Sequence, residues 1–109
     1  MGLSYREAVA DSKQWGQIFE SAVGAYIVSQ AFEHRLEVYY WRDGNDEVDF
    51  VLKKNQKFIA IEVKSNGESH TTGLERFHQL YHPVASFIVG ERGIKPKVFL
   101  SMNLLQLFE

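Results

Sequence analysis

The chain has 109 residues, of which 45% are hydrophobic and 24% are charged, and its formal net charge is −2. These values predict one small folded domain with a hydrophobic core, and they argue against a strongly basic protein that coats nucleic acid. No apolar run is long enough to cross a membrane. Cysteine is absent, which excludes disulfides and thiolate metal ligands and fits a cytoplasmic setting.

The first predicted element is a helix that begins at Asp11 or Ser12, either of which can cap it, and ends near Glu33. Its apolar residues recur at helical spacing and predict one buried face: Trp15, Ile18, Phe19, Ala22, Val23, Tyr26 and Ile27. Glu20 lies at the edge of this face and not on the opposite, solvated face. The helix is therefore expected to lie on a sheet, with Glu20 at the margin of the contact.

Three strands are predicted next, separated by two turns. Residues 37–42 form the first strand, and the sequence at 43–46 is a strong turn signal. Residues 47–53 and 57–64 then form a hairpin. Residues 58–61 are apolar on both faces, which is typical of an interior strand that is covered on both sides.

The loop of this hairpin determines which residues of the two strands face each other. If Asn55 and Gln56 form a two-residue loop, Lys54 pairs with Lys57 and the register is fixed. Asn tolerates a positive φ well, whereas Gln is a poorer choice at the second position. A loop one residue longer would turn the side chains of one strand to the other face.

With the two-residue loop, three charged side chains share one sheet face in β-branched and aromatic surroundings. Asp49 lies directly opposite Glu62, and Lys64 follows two residues later. Strands in a covered sheet rarely carry charge without a reason. Two carboxylates and a lysine on one face suit a metal-dependent phosphodiesterase. The structural alternative is that Glu62 and Lys64 form an ordinary ion pair on the hairpin surface.

The rest of the chain predicts a helix and two further strands. Residues 65–71 form a polar loop, and a helix runs from Thr72 to about His82, just before Pro83. Residues 86–89 and 97–100 are predicted strands. The order α-β-β-β-α-β-β implies an α/β fold with a mixed sheet and helices on both faces. The tail contributes either core closure or a docking surface through Leu104, Leu105, Leu107 and Phe108.

Several side chains allow two interpretations. The aromatic residues of the first strand follow the strand period and are predicted to lie in the core rather than to stack on bases: Tyr39, Tyr40 and Trp41. The lysines at the hairpin tip either contact a nucleic-acid backbone or only solubilise the turn: Lys53, Lys54 and Lys57. His70 and Arg76 are either phosphate contacts or plain surface residues.

The element order, with Asp49 on the second strand and Glu62-x-Lys64 on the third, resembles the PD-(D/E)XK nuclease superfamily. That superfamily includes type II restriction enzymes and archaeal Holliday-junction resolvases. Val48 stands where its motif has a proline, a residue that the chemistry does not require. More narrowly, residues 16–20, 41–51 and 59–65 look like a bacterial and archaeal family of unknown function. In that family the domain follows a predicted AAA-type ATPase.

The resemblance implies a restriction-endonuclease-like fold that hydrolyses DNA phosphodiesters with Mg²⁺ or Mn²⁺. Asp49 and Glu62 would be the metal ligands and Lys64 the catalytic lysine. Glu20 would be an auxiliary catalytic acid, or else a solvated carboxylate at the helix edge.

The same resemblance implies a larger protein. The sequence contains no glycine-rich phosphate loop ending in Lys-Ser or Lys-Thr. We therefore expect residues 1–109 to be a single nuclease-like domain, a fragment of an ATPase-containing protein that acts on DNA. The alternative is a catalytically inactive domain of this fold that serves as an interaction or homodimerisation module.

Overall fold

A computed structural model describes residues 12–64, 72–90 and 93–109. The elements are α1 (Ser12–His34), β1 (Glu37–Asp43), β2 (Asp46–Lys54), β3 (Lys57–Lys64), α2 (Thr72–Tyr81), β4 (Ala85–Gly90), α3 (Pro96–Phe99) and a 3-10 helix (Leu104–Phe108). The four strands form one sheet in the order β1-β2-β3-β4. Neighbouring strands are antiparallel except β3 and β4, which are parallel. The predicted mixed α/β sheet is confirmed.

Helices cover the two faces of the sheet, as predicted. The side of α1 that carries Phe19, Val23, Ile27 and Ala31 packs against one face, which presents Leu52, Ile59 and Ile61. The other face packs against α2 through Val48, Val51, Ala60, Leu74 and Phe77. Successive strand residues point to opposite faces, so β3 supplies both clusters. Of the helices that the structure describes, none is both long and apolar enough to cross a membrane.

The predicted apolar face of α1 is confirmed in its central part. Phe19, Val23 and Ile27 are buried, whereas Ala22 is exposed. The predicted positions of the Trp15 and Ile18 side chains, the possible cap Asp11 and the loop at 65–71 lie outside what the structure describes.

The hairpin loop has the predicted length and register. Lys54 pairs with Lys57, and Asn55 and Gln56 have φ angles of 50° and 71°. Two positive φ angles in succession are the signature of a type I′ turn, whose twist matches that of the flanking strands. Gln56 adopts this backbone although its side chain does not favour it, because the packed strands on both sides determine the register.

Two predictions about the periphery of the sheet are wrong. Residues 97–100 do not form a strand, because Pro96 opens the helical turn α3, where its fixed φ is favourable and its missing N–H is not needed. Tyr39 and Tyr40 do not lie in the core, with 46% and 58% of their surfaces exposed. They belong to β1, an edge strand of the sheet, where burial is incomplete.

The C-terminal tail closes the core. Leu104 and Phe108 are buried against the α1 side of the sheet. The Leu104 amide donates to Gln30 Oε1 at 3.0 Å, and Lys57 Nζ donates to the Phe108 carbonyl at 3.2 Å. These bonds join the tail to α1 and to the hairpin, so of the two interpretations of the tail, core closure is the one that holds.

We expect Leu104→Ala to lower the free energy of unfolding by roughly 2–5 kcal/mol, because it leaves a cavity at a fully buried position. Urea denaturation followed by circular dichroism measures the change. Leu100→Ala is the control, since Leu100 is 41% exposed and close in the chain, and its loss should be about 1 kcal/mol or less. Equal losses would contradict the placement of the tail.

Candidate active site

The candidate site lies where β2 and β3 separate. Their regular pairing runs from Lys54–Lys57 to Phe50–Ile61. Beyond this pair a side chain takes the place of a backbone partner, since the amide of Val63, two residues after Ile61, donates to Asp49 Oδ2 at 2.9 Å. The carboxylate of Asp49 therefore lies in the gap between the two strands.

A β-bulge in the neighbouring strand pair lies at the same place. Tyr39 pairs with Val51 but Trp41 pairs with Val48, so β2 has one residue more than β1 between these pairs. Asp49 is one of the two residues at the bulge. A bulge bends its strand and redirects the side chain that it carries, and bulges are common next to active sites.

Glu62, on the β3 side of the gap, is the buried charged residue of the described core, with 5% of its surface exposed. The pKa of Glu62 is raised from its ordinary value of 4.5 to about 8. Burial is the largest cause, a hydrogen bond to Asp49 and the negative charges of Asp49 and Glu47 act in the same direction, and Lys64 opposes them. At neutral pH Glu62 is therefore protonated, and its carboxyl O–H donates a hydrogen bond to the Asp49 carboxylate.

All four residues predicted for the site line one cavity of about 440 Å³. Asp49, Glu62 and Lys64 come from the hairpin, and Glu20 reaches the cavity from α1. Lys64 is half-buried and Glu20 is exposed. The predicted convergence of these side chains is thus present, and Glu20 lies at the cavity rather than only at a solvated helix edge.

Five further residues of the described chain line this cavity and were not predicted for the site: Asn45, Glu47, Phe50, Val63 and Gly73. Glu47 precedes Asp49 by two residues, a spacing that could have drawn attention to it. Its carboxylate accepts a hydrogen bond from the Tyr40 hydroxyl. Gly73 permits a contact that no local signal predicts, since a Cβ there would lie 2.0 Å from the Glu47 carbonyl oxygen. Glycine therefore lets the N-terminus of α2 approach β2.

The donor set suits a hard divalent cation. Carboxylate oxygens are the ligands that Mg²⁺ and Mn²⁺ prefer, and Mg²⁺ usually takes only one or two of them besides water and substrate phosphate. Within residues 12–64, 72–90 and 93–109, no three Asp, Glu, His or Cys side chains cluster as a metal site. Asp49 and Glu62 are two carboxyl groups of this cavity that could hold such a cation together with water and phosphate.

Of the two basic residues that the sequence offers as phosphate contacts, the structure describes only Arg76. Arg76, on α2, forms an ion pair with Asp43, at 3.5 Å between Nε and Oδ2, and both side chains are about half exposed. This pair joins α2 to the turn before β2 and does not line the cavity. His70 lies outside the described residues.

Most of the chain matches one known protein family. Residues 15–99 match the profile of a domain of unknown function, DUF4143. The chain belongs to this family. The DUF4143 segment contains Glu20, Asp49, Glu62 and Lys64, together with the whole sheet. No curated protein and no solved structure matches the chain. The family description states no reaction, so the relation to PD-(D/E)XK nucleases stays a prediction.

We expect Glu62→Gln to remove a pH-dependent loss of stability. Folded Glu62 keeps its proton up to about pH 8, whereas the unfolded chain loses it near 4.5, so this group destabilises the fold increasingly between these values. Glutamine keeps a hydrogen-bond donor for Asp49 and cannot ionise. The free energy of unfolding of Glu62→Gln should therefore rise relative to that of the unchanged chain across this pH range. At its upper end the difference should be on the order of 2–4 kcal/mol.

Urea unfolding at a series of pH values measures this difference. Glu75→Gln, at an exposed position on α2, is the control, because it makes the same chemical change outside the buried pair. Parallel curves for Glu62→Gln and the unchanged chain would contradict a protonated Glu62.

Proposed function

We propose that this DUF4143 domain is a divalent-metal-dependent nuclease that hydrolyses DNA phosphodiester bonds. The observation that carries the proposal is the buried Glu62 beside Asp49, in a cavity that also holds Lys64. A purely structural ion pair on a hairpin would leave both partners in solvent. Here one carboxyl group is buried at a cost in stability, which is typical of a site kept for chemistry.

Asp49 and Glu62 would hold Mg²⁺ or Mn²⁺. The ion would polarise the scissile phosphate and lower the pKa of the attacking water. Its charge would also replace the proton that Glu62 holds, because a nearby cation favours the carboxylate form. The Val63 amide fixes the orientation of Asp49, so this ligand needs little rearrangement on binding.

Lys64 and Glu20 would act on the phosphate and the water. The Lys64 ammonium shares the cavity with the two carboxylates and would offset the negative charge that develops at phosphorus. It would also orient the attacking water. Glu20, on the α1 side of the same cavity, would hold a water or act as the auxiliary acid. These two roles are assigned from position, because Lys64 lies on the same strand as Glu62, whereas Glu20 comes from α1.

The resemblance described above extends this proposal to a larger protein. The domain would be the DNA-processing module of a protein that also contains an AAA-type ATPase. A net charge of −2 suits this arrangement, since another domain would then supply much of the DNA contact.

We expect Lys64→Met to lower the rate of Mn²⁺-dependent DNA cleavage about 100-fold or more, while Mn²⁺ still binds. Asp49→Asn should lose both binding and cleavage. Plasmid, linear duplex and single-stranded circular DNA are the substrates, and product formation on gels is the measurement. Lys97→Met, at an exposed position on α3, is the control and should keep its activity. Cleavage that survives Lys64→Met would contradict the assignment.

A non-catalytic homodimerisation module remains the second candidate, and one observation favours it. Residues 21–32 of α1 contain no charged side chain. On the outer side of this helix Val28 is 56% and Phe32 is 89% exposed. An exposed helix face normally carries polar residues. Two copies of α1 packed antiparallel with Val28 opposite Ala25 would place Phe32 opposite the small Ser21, which makes the face self-complementary.

The dimer hypothesis predicts a mass that rises with concentration in multi-angle light scattering. Phe32→Glu should restore the monomer mass, because it places a charge in the contact. Leu80→Glu is the matched control, since Leu80 is 46% exposed on α2, and it should leave the mass unchanged. A monomer at all concentrations would remove this candidate.

A further inference from the structure

A second cavity, of about 300 Å³, lies at the other end of α2. We call it the aromatic groove, and its lining residues are Tyr39, Tyr40, Trp41, Val51, Lys53, Phe58, Phe77 and Tyr81. The rings hold one another edge to face. Trp41 lies 5.4 Å from Phe77 and 6.3 Å from Tyr81, and Phe58 lies 5.9 Å from Tyr81, measured between ring centroids. These contacts fix the shape of the groove.

The aromatic groove is not fully buried core. Tyr81 is 44% exposed and Tyr39 is 46% exposed, while Trp41 and Phe58 are half-buried. β1 is an edge strand of the sheet, and α2 packs mainly against β2 and β3, so the rings at this margin keep open surface. A rigid frame of rings with open surface is a platform on which a flat ring can stack.

The aromatic groove and the carboxylate cavity lie on the same side of the sheet. Glu62 and Phe58 are both on β3, four residues apart and on one face, which separates them by about 13 Å. α2 spans the distance between them, since Gly73 lines the carboxylate cavity and Tyr81 lines the aromatic groove. A single polynucleotide strand could therefore contact both places through neighbouring nucleotides.

Lysine side chains lie beside the rings of the aromatic groove. The Lys53 ammonium lies 5.8 Å from the centroid of the Phe58 ring. Lys54 and Lys57 follow at the tip of the hairpin. Glu37 pairs with Lys53 across the strands and hydrogen-bonds Tyr39, so this end is not uniformly basic. Rings with adjacent lysines match a base and its phosphate, which is how single strands are bound.

We propose that the aromatic groove binds an unpaired nucleobase of the strand whose phosphate enters the carboxylate cavity. The substrate would then be single-stranded or branched nucleic acid, because a base inside a duplex is already stacked on both faces. This inference rests on the proposed nuclease function and specifies its substrate class. The Lys53 ammonium contacts the phosphate next to the stacked base.

The test measures binding of a fluorescently labelled, single-stranded oligothymidylate by anisotropy, with a metal chelator present so that no cleavage occurs. The unchanged chain should bind it more tightly than a duplex of the same length. Tyr81→Leu keeps an apolar side chain but removes the ring, and should weaken single-strand binding about 5- to 100-fold. Tyr39→Ala, on the exposed edge strand, should act in the same direction.

Val98→Ala is the matched control, because it trims an exposed apolar side chain on α3, which packs against β4 at the opposite edge of the sheet from β1, and it should leave binding unchanged. Trp41 gives a second measurement. The chain has two tryptophans, so in a Trp15→Phe background its fluorescence reports the groove alone and should be quenched by the oligonucleotide.

Mn²⁺-dependent cleavage is measured in parallel on the same variants. Unchanged single-strand affinity in Tyr81→Leu and Tyr39→Ala, with Lys64-dependent cleavage intact, would overturn the groove and leave the nuclease proposal standing. Absence of both binding and cleavage in the unchanged chain would overturn the nuclease proposal, and the groove with it.

Discussion

The structure depends on one costly contact, the burial of Glu62 against Asp49 where β2 and β3 separate. A buried carboxyl group loses its hydration, and a second carboxylate beside it adds repulsion. The fold accommodates both by leaving Glu62 protonated and by giving Asp49 the Val63 amide. Such an arrangement adds little to stability, and it leaves two oxygen ligands and a nearby lysine directed at one cavity. We therefore infer that it is kept for the proposed chemistry.

Several features of the fold position this contact. The two-residue turn at Asn55 and Gln56 fixes the register that places the carboxyl groups opposite each other. The bulge in β2 turns Asp49 into the gap. Gly73 lets α2 approach β2 closely enough to close one side of the cavity, and α1 closes the other through Glu20. The aromatic groove and the carboxylate cavity share α2 as their common wall.

Much of this was predictable because it depends on short-range patterns. The hairpin register follows from counting residues across a turn, and the shared face of Asp49, Glu62 and Lys64 follows from strand alternation. The helical turn at Pro96 was missed because an apolar run between lysine and serine also suits a strand. The exposure of Tyr39 and Tyr40 could not be predicted, since periodicity does not reveal which strand lies at the edge. The close approach at Gly73 depends on packing between elements distant in the chain.

The most direct test of the account is calorimetric titration of Mn²⁺ into the unchanged chain, Asp49→Asn, Glu62→Gln and the control Glu75→Gln. The account predicts that the first two variants lose binding while remaining folded, and that the control keeps it. It also predicts that affinity for Mn²⁺ increases from about pH 6 to about pH 8, because Glu62 must give up its proton to bind the ion. Equal binding by all four proteins, or an affinity that does not change with pH, would contradict it.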